Sequence, residues 1–305
     1  MKLFKSIFIA SVIILIFSGC AQKNSPLVIE AMNTVCTINA FNDGNKKLYS
    51  EISNELTRLE NLFSRHIQTS AASLINQNAG KNPVEVPDEF IYVLQTALEF
   101  SKLTEGQFDP TIGPVVDLWG IGTSHQQIPE DLEILHKKLL VDYRRVSVID
   151  NKVFLSLPHM SLDFGAIAKG YASDCLVKIL QDNNVKKCVI DLGGNITVFG
   201  TKENNLPWKI GIKNYDKYLE VDGGTNIVTS GNYERYFEQD GKIFCHIINP
   251  KTGRPVDSNL KGTTVCSKSG LRADILSTCA FILGEDNFYN LLGNYLLQDE
   301  KVLFY

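Results

Sequence analysis

Residues 187–200 read KCVIDLGGNITVFG, two runs rich in strand-forming residues on either side of a double glycine. Valine, isoleucine, threonine and phenylalanine favour strands, and glycines favour the tight turn of a hairpin. Short strand patterns continue to about Thr264, and Asp240-Gly241 is a second hairpin signal. Because hairpins place their strands antiparallel, this half of the chain predicts a largely antiparallel sheet.

Amphipathic segments surround this region, with apolar residues at helical spacing. The predicted helices cover about Lys46–Phe63, 88–106, a short segment from Pro129 with Leu132, Leu135 and Leu139 as its apolar positions, 166–180 and 271–283. The segments 64–87 and 107–120 are rich in turn-forming residues and are interpreted as loops. Helices and strands do not alternate regularly, and no Pro/Gly-rich linker divides the chain. The sequence therefore predicts a single α+β domain with a mixed, largely antiparallel sheet and flanking helices.

The first residues have the pattern of an export signal. Lys2 and Lys5 precede an apolar run at 7–17, too short to span a bilayer comfortably, and small residues then lead into Cys20. This order resembles the bacterial lipoprotein signal, in which the cysteine is acylated and becomes the new N-terminus. The alternative is an ordinary signal peptide with a chance cysteine. We expect a signal peptide at 1–19, lipidation of Cys20, a tether at 20–27 and a folded body at 28–305, in a protein that is exported and lipid-anchored to the cell membrane, facing the periplasm or the cell exterior.

Charge and cysteine usage narrow the class of partner. Loss of residues 1–19 would remove two lysines and no acid, which leaves 28 Lys+Arg against 34 Asp+Glu and a net charge near −6. An acidic chain of this kind argues against nucleic acid as the partner. The six cysteines after Cys20 form no C-x-x-C pair and lie in apolar runs, so we expect mostly buried free thiols.

Two segments carry the residue types of an anion and metal site. Residues 161–170 (SLDFGAIAKG) run into a helix, whose first N–H groups and dipole attract an anion, and Lys169 would add a positive charge. The alternative is a capped amphipathic helix with Lys169 in solvent. Asp274 and Thr278 stand four apart on a predicted helix and therefore share a face, and their oxygens suit Mg²⁺. The alternative is an acid that complements the helix dipole and a threonine that faces the core.

Six motifs occur in an order that resembles the ApbE family of FAD:protein FMN transferases. They are FDPTIGP at 108–114, DFGAIAKG at 163–170, LGGN at 192–195, TSGNYERY at 229–236, HIINPKTG at 246–253 and ADILST at 273–278. Each motif alone is weak, and a histidine such as His246 on a strand is more often structural than catalytic. The resemblance covers about 32–284, and members of this family are commonly lipoproteins.

The resemblance implies an ApbE-like domain, the activity and the roles of individual residues. Asp274, Thr278 and the backbone carbonyl of Ala166 would hold Mg²⁺ against the pyrophosphate of the substrate FAD, and His246 would be the general base. FAD would be lined by Met32, His66, Gln107, Phe108, Asp109, Asp163, Ala166, Lys169, His246 and Ile248. The partner would be a target protein, expected to be a redox-complex subunit, with a Ser/Thr acceptor motif, and the products would be an FMN protein and AMP.

Two departures from the family pattern bear on the flavin pocket. Asn33 stands where the family usually has glycine, in Met32-Asn33-Thr34, and His66 takes the place of a common tyrosine. Both bear on the balance between transfer and hydrolysis. Three other functions compete with transfer: an FAD pyrophosphatase that gives FMN and AMP, a non-catalytic FAD-binding lipoprotein, and an unrelated solute-binding lipoprotein suggested only by the anchor. The Asp274/Thr278 pair argues against the last two, because binding alone needs no metal at the pyrophosphate.

Overall fold

The computed structural model describes residues 25–305. The expected signal peptide, Cys20 and most of the expected tether lie outside this range. The helices are α1 (Lys46–Phe63), α2 (Ala71–Gln77), α3 (Asp88–Leu103), α4 (Gly113–Trp119), α5 (Asp131–Lys138), α6 (Ala168–Asp182) and α7 (Gly270–Leu292). The strands are β1 (Leu27–Ala31), β2 (Thr34–Asn39), β3 (Val84–Glu85), β4 (Val146–Ile149), β5 (Lys152–Leu155), β6 (Lys187–Leu192), β7 (Asn195–Gly200), β8 (Trp208–Gly211), β9 (Tyr218–Val221), β10 (Thr225–Gly231), β11 (Tyr236–Gln239), β12 (Lys242–Cys245), β13 (Ile248–Asn249), β14 (Arg254–Pro255), β15 (Gly262–Ser267) and β16 (Lys301–Phe304).

A seven-stranded sheet in the order β1-β2-β6-β7-β10-β15-β16 forms the centre of the domain. Every neighbouring pair in this sheet is antiparallel. The hairpin of β6 and β7 is the 187–200 stretch, with Asp191 opposite Ile196. The α+β prediction with a largely antiparallel sheet is confirmed.

The main core lies between one face of the sheet and a layer that includes α1, α3, α6 and α7. Cys188, Ile190 and Leu192 alternate along β6 and enter this core, as the period of two in a strand requires. On the opposite face, Val189 packs into a smaller cluster around Trp208. A separate cluster joins α4, α5, β11 and β13, and its buried residues are Val115, Trp119, Ile134, Phe237 and Ile248.

Several local predictions were wrong. The 64–87 and 107–120 segments contain α2 and α4 and are not only loops. The predicted apolar positions Leu132 and Leu135 on α5 and Leu139 directly after it are 63, 52 and 66% exposed, whereas Ile134 is buried. Ile134 packs against the Trp119 cluster, and only one side of this helix can face that cluster.

Three element ends also differ from the sequence pattern. His246 was predicted to lie on a strand, but β12 ends at Cys245 and His246 lies between two strands. Strand β1 begins at Leu27, inside the expected tether. Helix α7 continues past 283, with a break at Gly284, where φ is 71° and ψ is 169°.

The six cysteines between residues 25 and 305 are free thiols, and five of them are buried, with Cys175 half-buried. None of the helices in this range is long and apolar enough to cross a membrane.

Candidate active site

Helices α6 and α7 touch at a pair of glycines. A Cβ added to Gly170 would stand 2.1 Å from the carbonyl oxygen of Gly270 and 2.6 Å from Cβ of Asp274. A Cβ on Gly270 would stand 2.3 Å from the carbonyl oxygen of Gly170. Side chains at either position would hold the helices apart, so the two glycines permit the contact that brings the start of α6 against Asp274.

Asp174 fixes the start of α7 from the side of α6. Its carboxylate accepts the N–H groups of Gly270 (2.6 Å) and Leu271 (3.0 Å) and the hydroxyl of Ser269 (3.3 Å). Burial raises the pKa of Asp174, and these hydrogen bonds oppose the rise. Asp174 was not among the predicted site residues, although its spacing of four from Gly170 places both on one face of α6.

Two of the three predicted metal ligands, Asp274 and Thr278, lie on α7 at this helix contact or one turn beyond it. Asp274 is 3% exposed, and its Oδ2 accepts the N–H of Gly170 at 2.9 Å. Helix α6 begins at Ala168, so this N–H belongs to the first turn, whose N–H groups have no acceptor within the helix. In the described part of the chain, the Ala166 carbonyl accepts no hydrogen bond and Asp274 has no cationic partner within salt-bridge distance. Thr278, one turn after Asp274, is also buried, and its hydroxyl lies 3.2 Å from that of Ser230.

This donor set fits a hard divalent cation. A buried carboxylate without a counter-charge is costly, and carboxylate, hydroxyl and free carbonyl oxygens are the ligands that Mg²⁺ prefers.

The loop that precedes α6 is held by an arginine. Arg65 donates to Asp163 at 2.9 Å and also pairs with Asp117. Burial alone would raise the pKa of Asp163, but the Arg65 charge and the hydrogen bonds from Arg65 and Gly165 outweigh it, and the pKa is lowered. Arg65 was not among the predicted site residues, because nothing in the sequence places it beside a residue 98 positions away. Its neighbour His66, a predicted flavin contact, is exposed.

Lys169 lies in the first turn of α6, and its Nζ donates to the carbonyl of Gly165 at 3.0 Å. The lysine is half-buried, so the alternative of a fully solvated Lys169 does not describe its position. Its charge lies close enough to His246 to lower the pKa of the imidazole. The start of α6 therefore carries a fixed positive charge beside the predicted base.

A turn and an arginine position His246. Met32 and Asn33 form the two-residue turn between β1 and β2, with φ of 54° and 57°. Such a turn requires positive φ at both positions and commonly uses Asn or Gly, so Asn33 satisfies the backbone as glycine would. The guanidinium of Arg235 donates to the carbonyl of Asn33. The carbonyl of Arg235 in turn accepts the backbone N–H of His246 at 2.9 Å.

The imidazole of His246 is arranged as a neutral base. Its Nδ1 lies 3.2 Å from the carbonyl oxygen of Arg235, and a carbonyl can only accept, so Nδ1 carries the proton and Nε2 is left basic. Burial, followed by the charges of Arg235 and Lys169, lowers the pKa of His246 to about 4. The ring is therefore unprotonated at neutral pH.

The predicted flavin contacts at 107–109 border this centre. The buried carboxylate of Asp109 accepts the N–H (2.8 Å) and hydroxyl (2.7 Å) of Thr111 and the N–H of Tyr143 (2.9 Å). Burial raises its pKa. These bonds show that Asp109 organises its own loop, and Asp163 N–H binds the carbonyl of Pro110 in that loop at 2.8 Å. Phe108 is buried in the main core, and Gln107 is half-buried.

One cavity borders these residues. A cleft of about 310 Å³ opens beside Gly106, Asp109, Tyr143 and Lys251. A larger cavity of about 410 Å³, beside Trp119 and Gly284, contains none of the predicted site residues. Ile248, the remaining predicted contact, is buried in the Trp119 cluster. The candidate site is therefore identified by the functional groups that it brings together and not by the size of a cavity.

Buried oxygen donors, a lysine at a helix N-terminus and a neutral histidine form the kind of site that transfers phosphate-linked groups. The sequence model of the ApbE family matches residues 32–303, and the chain belongs to that family.

Relatives and solved structures agree with this assignment. The chain is 33% identical to the FAD:protein FMN transferase of Haemophilus influenzae, with 94% of this chain and 89% of the relative covered. It is 37% identical to that of Klebsiella pneumoniae over 78% of this chain and 76% of the relative. The structure is similar to the flavin transferase ApbE of Vibrio cholerae, with a TM-score of 0.81, 28% identity and 92% of each chain covered. It is also similar to the ApbE protein of Thermotoga maritima, with a TM-score of 0.81, 27% identity and 92% and 93% covered.

Proposed function

We propose that this chain is a Mg²⁺-dependent FAD:protein FMN transferase, which moves FMN from FAD onto a Ser or Thr hydroxyl of a target protein and releases AMP. The observation that carries the proposal is Asp274, a buried carboxylate that accepts the N–H of Gly170 at the start of α6 and has no cationic partner among the described residues. The relatives named for this activity support the same function.

Ala166, Asp274 and Thr278 would hold Mg²⁺, and the metal would neutralise charge on the FAD pyrophosphate. Lys169 contributes a further positive charge, and the N-terminus of α6 adds its dipole. Both features belong to the chain itself and favour an anionic ligand at this place.

In the transfer, the acceptor oxygen attacks the phosphorus atom of the FMN half of FAD. A phosphoester bond forms, and the P–O bond to the AMP phosphate breaks, with its electron pair leaving on AMP. The hydroxyl proton goes to Nε2 of His246, which is free to accept it because the lowered pKa keeps the ring neutral. Arg235 is a positioning residue, since its carbonyl orients the ring.

The deciding experiment incubates the protein with FAD and Mg²⁺, with and without an acceptor protein that carries the Ser/Thr motif. Mass spectrometry of the acceptor and chromatography of the nucleotides measure the products. Transfer predicts FMN mass on the acceptor with equimolar AMP. Free FMN and AMP without acceptor would indicate a pyrophosphatase, and unchanged bound FAD would indicate a binding protein.

We further propose that the mature protein is lipid-anchored through Cys20 and faces the periplasm or cell exterior, where its acceptor is a subunit of a membrane redox complex. The basis is the sequence pattern of residues 1–20. Mass spectrometry of the native protein should find residue 20 first, with acyl mass added. An intact Met1, or Cys20 as a free internal thiol, would contradict the proposal.

A further inference from the structure

Asn195, the last residue of the LGGN motif, begins β7 and is 2% exposed. Within residues 25–305, its amide nitrogen is the one buried side-chain nitrogen or oxygen without a hydrogen-bond partner. A buried amide without a partner has lost its hydrogen bonds to water and gained none within the protein. The ligand-free protein therefore contains one unpaired hydrogen-bond donor at Asn195.

Strand register places this amide beneath the candidate metal site. Asn195 pairs with Val228 of β10, and directly paired residues point to the same face of a sheet. Val228 belongs to the main core under the helices. Ser230, two residues further along β10, shares that face, and its hydroxyl lies 2.9 Å from that of Ser277 and 3.2 Å from that of Thr278. Asn195 is therefore a diagonal neighbour of the serine that touches a predicted metal ligand.

A second asparagine on the same face shows what a structural role looks like here. Asn226 is also 2% exposed, but its Oδ1 accepts the hydroxyl of Thr197 at 2.6 Å. Its Nδ2 donates to the carbonyls of Ser267 (3.4 Å) and Lys268 (3.2 Å). The fold thus satisfies Asn226, which lies against Gly270 at the α6–α7 contact, and leaves Asn195 unsatisfied.

The backbone beside Asn195 also borders open space. A Cβ on Gly194 would meet no atom within 4 Å, and the φ of Gly194 is 95°. Gly193 packs against Thr34, so the same turn touches the first residue after Met32-Asn33.

We propose that the side-chain amide of Asn195 donates a hydrogen bond to a pyrophosphate oxygen of bound FAD, from the sheet side of the site. This inference rests on the proposed function, because it requires a phosphate-bearing ligand at the proposed metal site of Asp274 and Thr278. Asn195 is then an FAD-binding residue, and its side-chain N–H is unpaired in the ligand-free protein because its acceptor is the ligand.

The test compares Asn195→Leu, which has a similar volume and no donor, with the matched control Asn226→Leu. Thermal unfolding of the ligand-free proteins and titration with FAD plus Mg²⁺, and with ADP plus Mg²⁺, are measured for each. We expect Asn195→Leu to keep or raise the Tm, because replacing an unpaired polar group by an apolar one is neutral or stabilising. Its affinity for FAD and ADP should fall roughly tenfold or more, the scale of a hydrogen bond to a charged group. Asn226→Leu should lower the Tm.

Unchanged affinity of Asn195→Leu, with wild-type binding intact, would overturn the inference and leave the proposed function standing. A fall in Tm as large as that of Asn226→Leu, without loss of affinity in the folded variant, would assign Asn195 a structural role instead. If Asn195→Leu does not fold, Asn195→Ala removes the same donor without added bulk and is judged by the same affinities. A wild-type protein that binds neither FAD nor ADP would refute the proposed function and this inference together.

Discussion

The two halves of the candidate site are constructed in different ways. The metal side is a contact between two regular helices, in which Gly170 and Gly270 meet backbone to backbone and Asp274 closes the gap. The histidine side consists of loops, in which a left-handed turn at Met32-Asn33 is linked through Arg235 to His246. Packed helices tolerate no added atom at their contact, whereas a loop can relax around a change. Small substitutions should therefore cause large losses of stability and activity on the metal side, whereas on the histidine side the loss should increase with the size of the change.

The largest expected effect is that of Asp274→Ala. Turnover should fall by roughly a thousand-fold or more, because the one anionic metal ligand is lost, while the fold is kept. AMP release as a function of Mg²⁺ concentration measures the effect. Asp286→Ala, at an exposed position of the same helix, is the control and should behave as wild type. A normal Mg²⁺ dependence in Asp274→Ala would place the metal elsewhere.

His246→Asn should have the next largest effect. If the imidazole accepts the proton of the acceptor hydroxyl, transfer at saturating FAD should slow by roughly a hundred-fold, with FAD affinity retained. Single-turnover transfer beside a separate FAD titration makes the measurement, and His136→Asn, on the exposed surface of α5, is the control. Full turnover with weakened binding would instead assign the ring to ligand binding.

Gly170→Ala tests whether the contact between α6 and α7 can accommodate an added methyl group. The added Cβ would stand 2.1 Å from the carbonyl oxygen of Gly270, so the helices must separate. We expect a loss of about 1–3 kcal/mol in the free energy of unfolding, with weaker Mg²⁺ binding. Gly211→Ala is the control, since a Cβ there meets no atom within 4 Å. Denaturant unfolding and Mg²⁺ titration that leave Gly170→Ala equal to the control would contradict the tight-contact interpretation.

The smallest effect concerns pH. With the pKa of His246 at about 4, about nine-tenths of the ring stays neutral at pH 5, so transfer should change little between pH 7 and 5 and fall by half near pH 4. Because the pKa of His246 is lowered by folding, the imidazole is protonated in the unfolded chain but neutral in the folded protein between pH 6.5 and 4. The contribution of His246 to the free energy of unfolding is therefore lost as pH falls from 6.5, the ordinary pKa of histidine, towards 4. Transfer rates and Tm values between pH 4 and 8 check both statements. A rate that halves near pH 6.5 would show an ordinary, solvated imidazole.

The accuracy of the sequence predictions depended on how local the signal was. Helix α1 was predicted at Lys46–Phe63 and is found there, because its apolar spacing and the Asn45 cap are contained in one stretch of chain. Helix α4 was missed because Gly113 and Pro114 signal a turn, although proline is well tolerated in the first turn of a helix. On α5 the leucine pattern was misleading, because the Trp119 cluster selects the side that carries Ile134.

The sequence by itself determined the family, the antiparallel sheet and the shared face of Asp274 and Thr278, because motif order, strand composition and helical spacing are all encoded in contiguous residues. Only the tertiary structure decided which groups are left without partners. The N–H of Gly170 reaches Asp274 across 104 residues, Arg65 reaches Asp163 across 98, and Arg235 reaches Asn33 across 202. The low pKa of His246 and the unpaired amide of Asn195 also depend on what the folded chain packs around them. Burial and pairing are properties of neighbours in space, and no spacing along the chain specifies them.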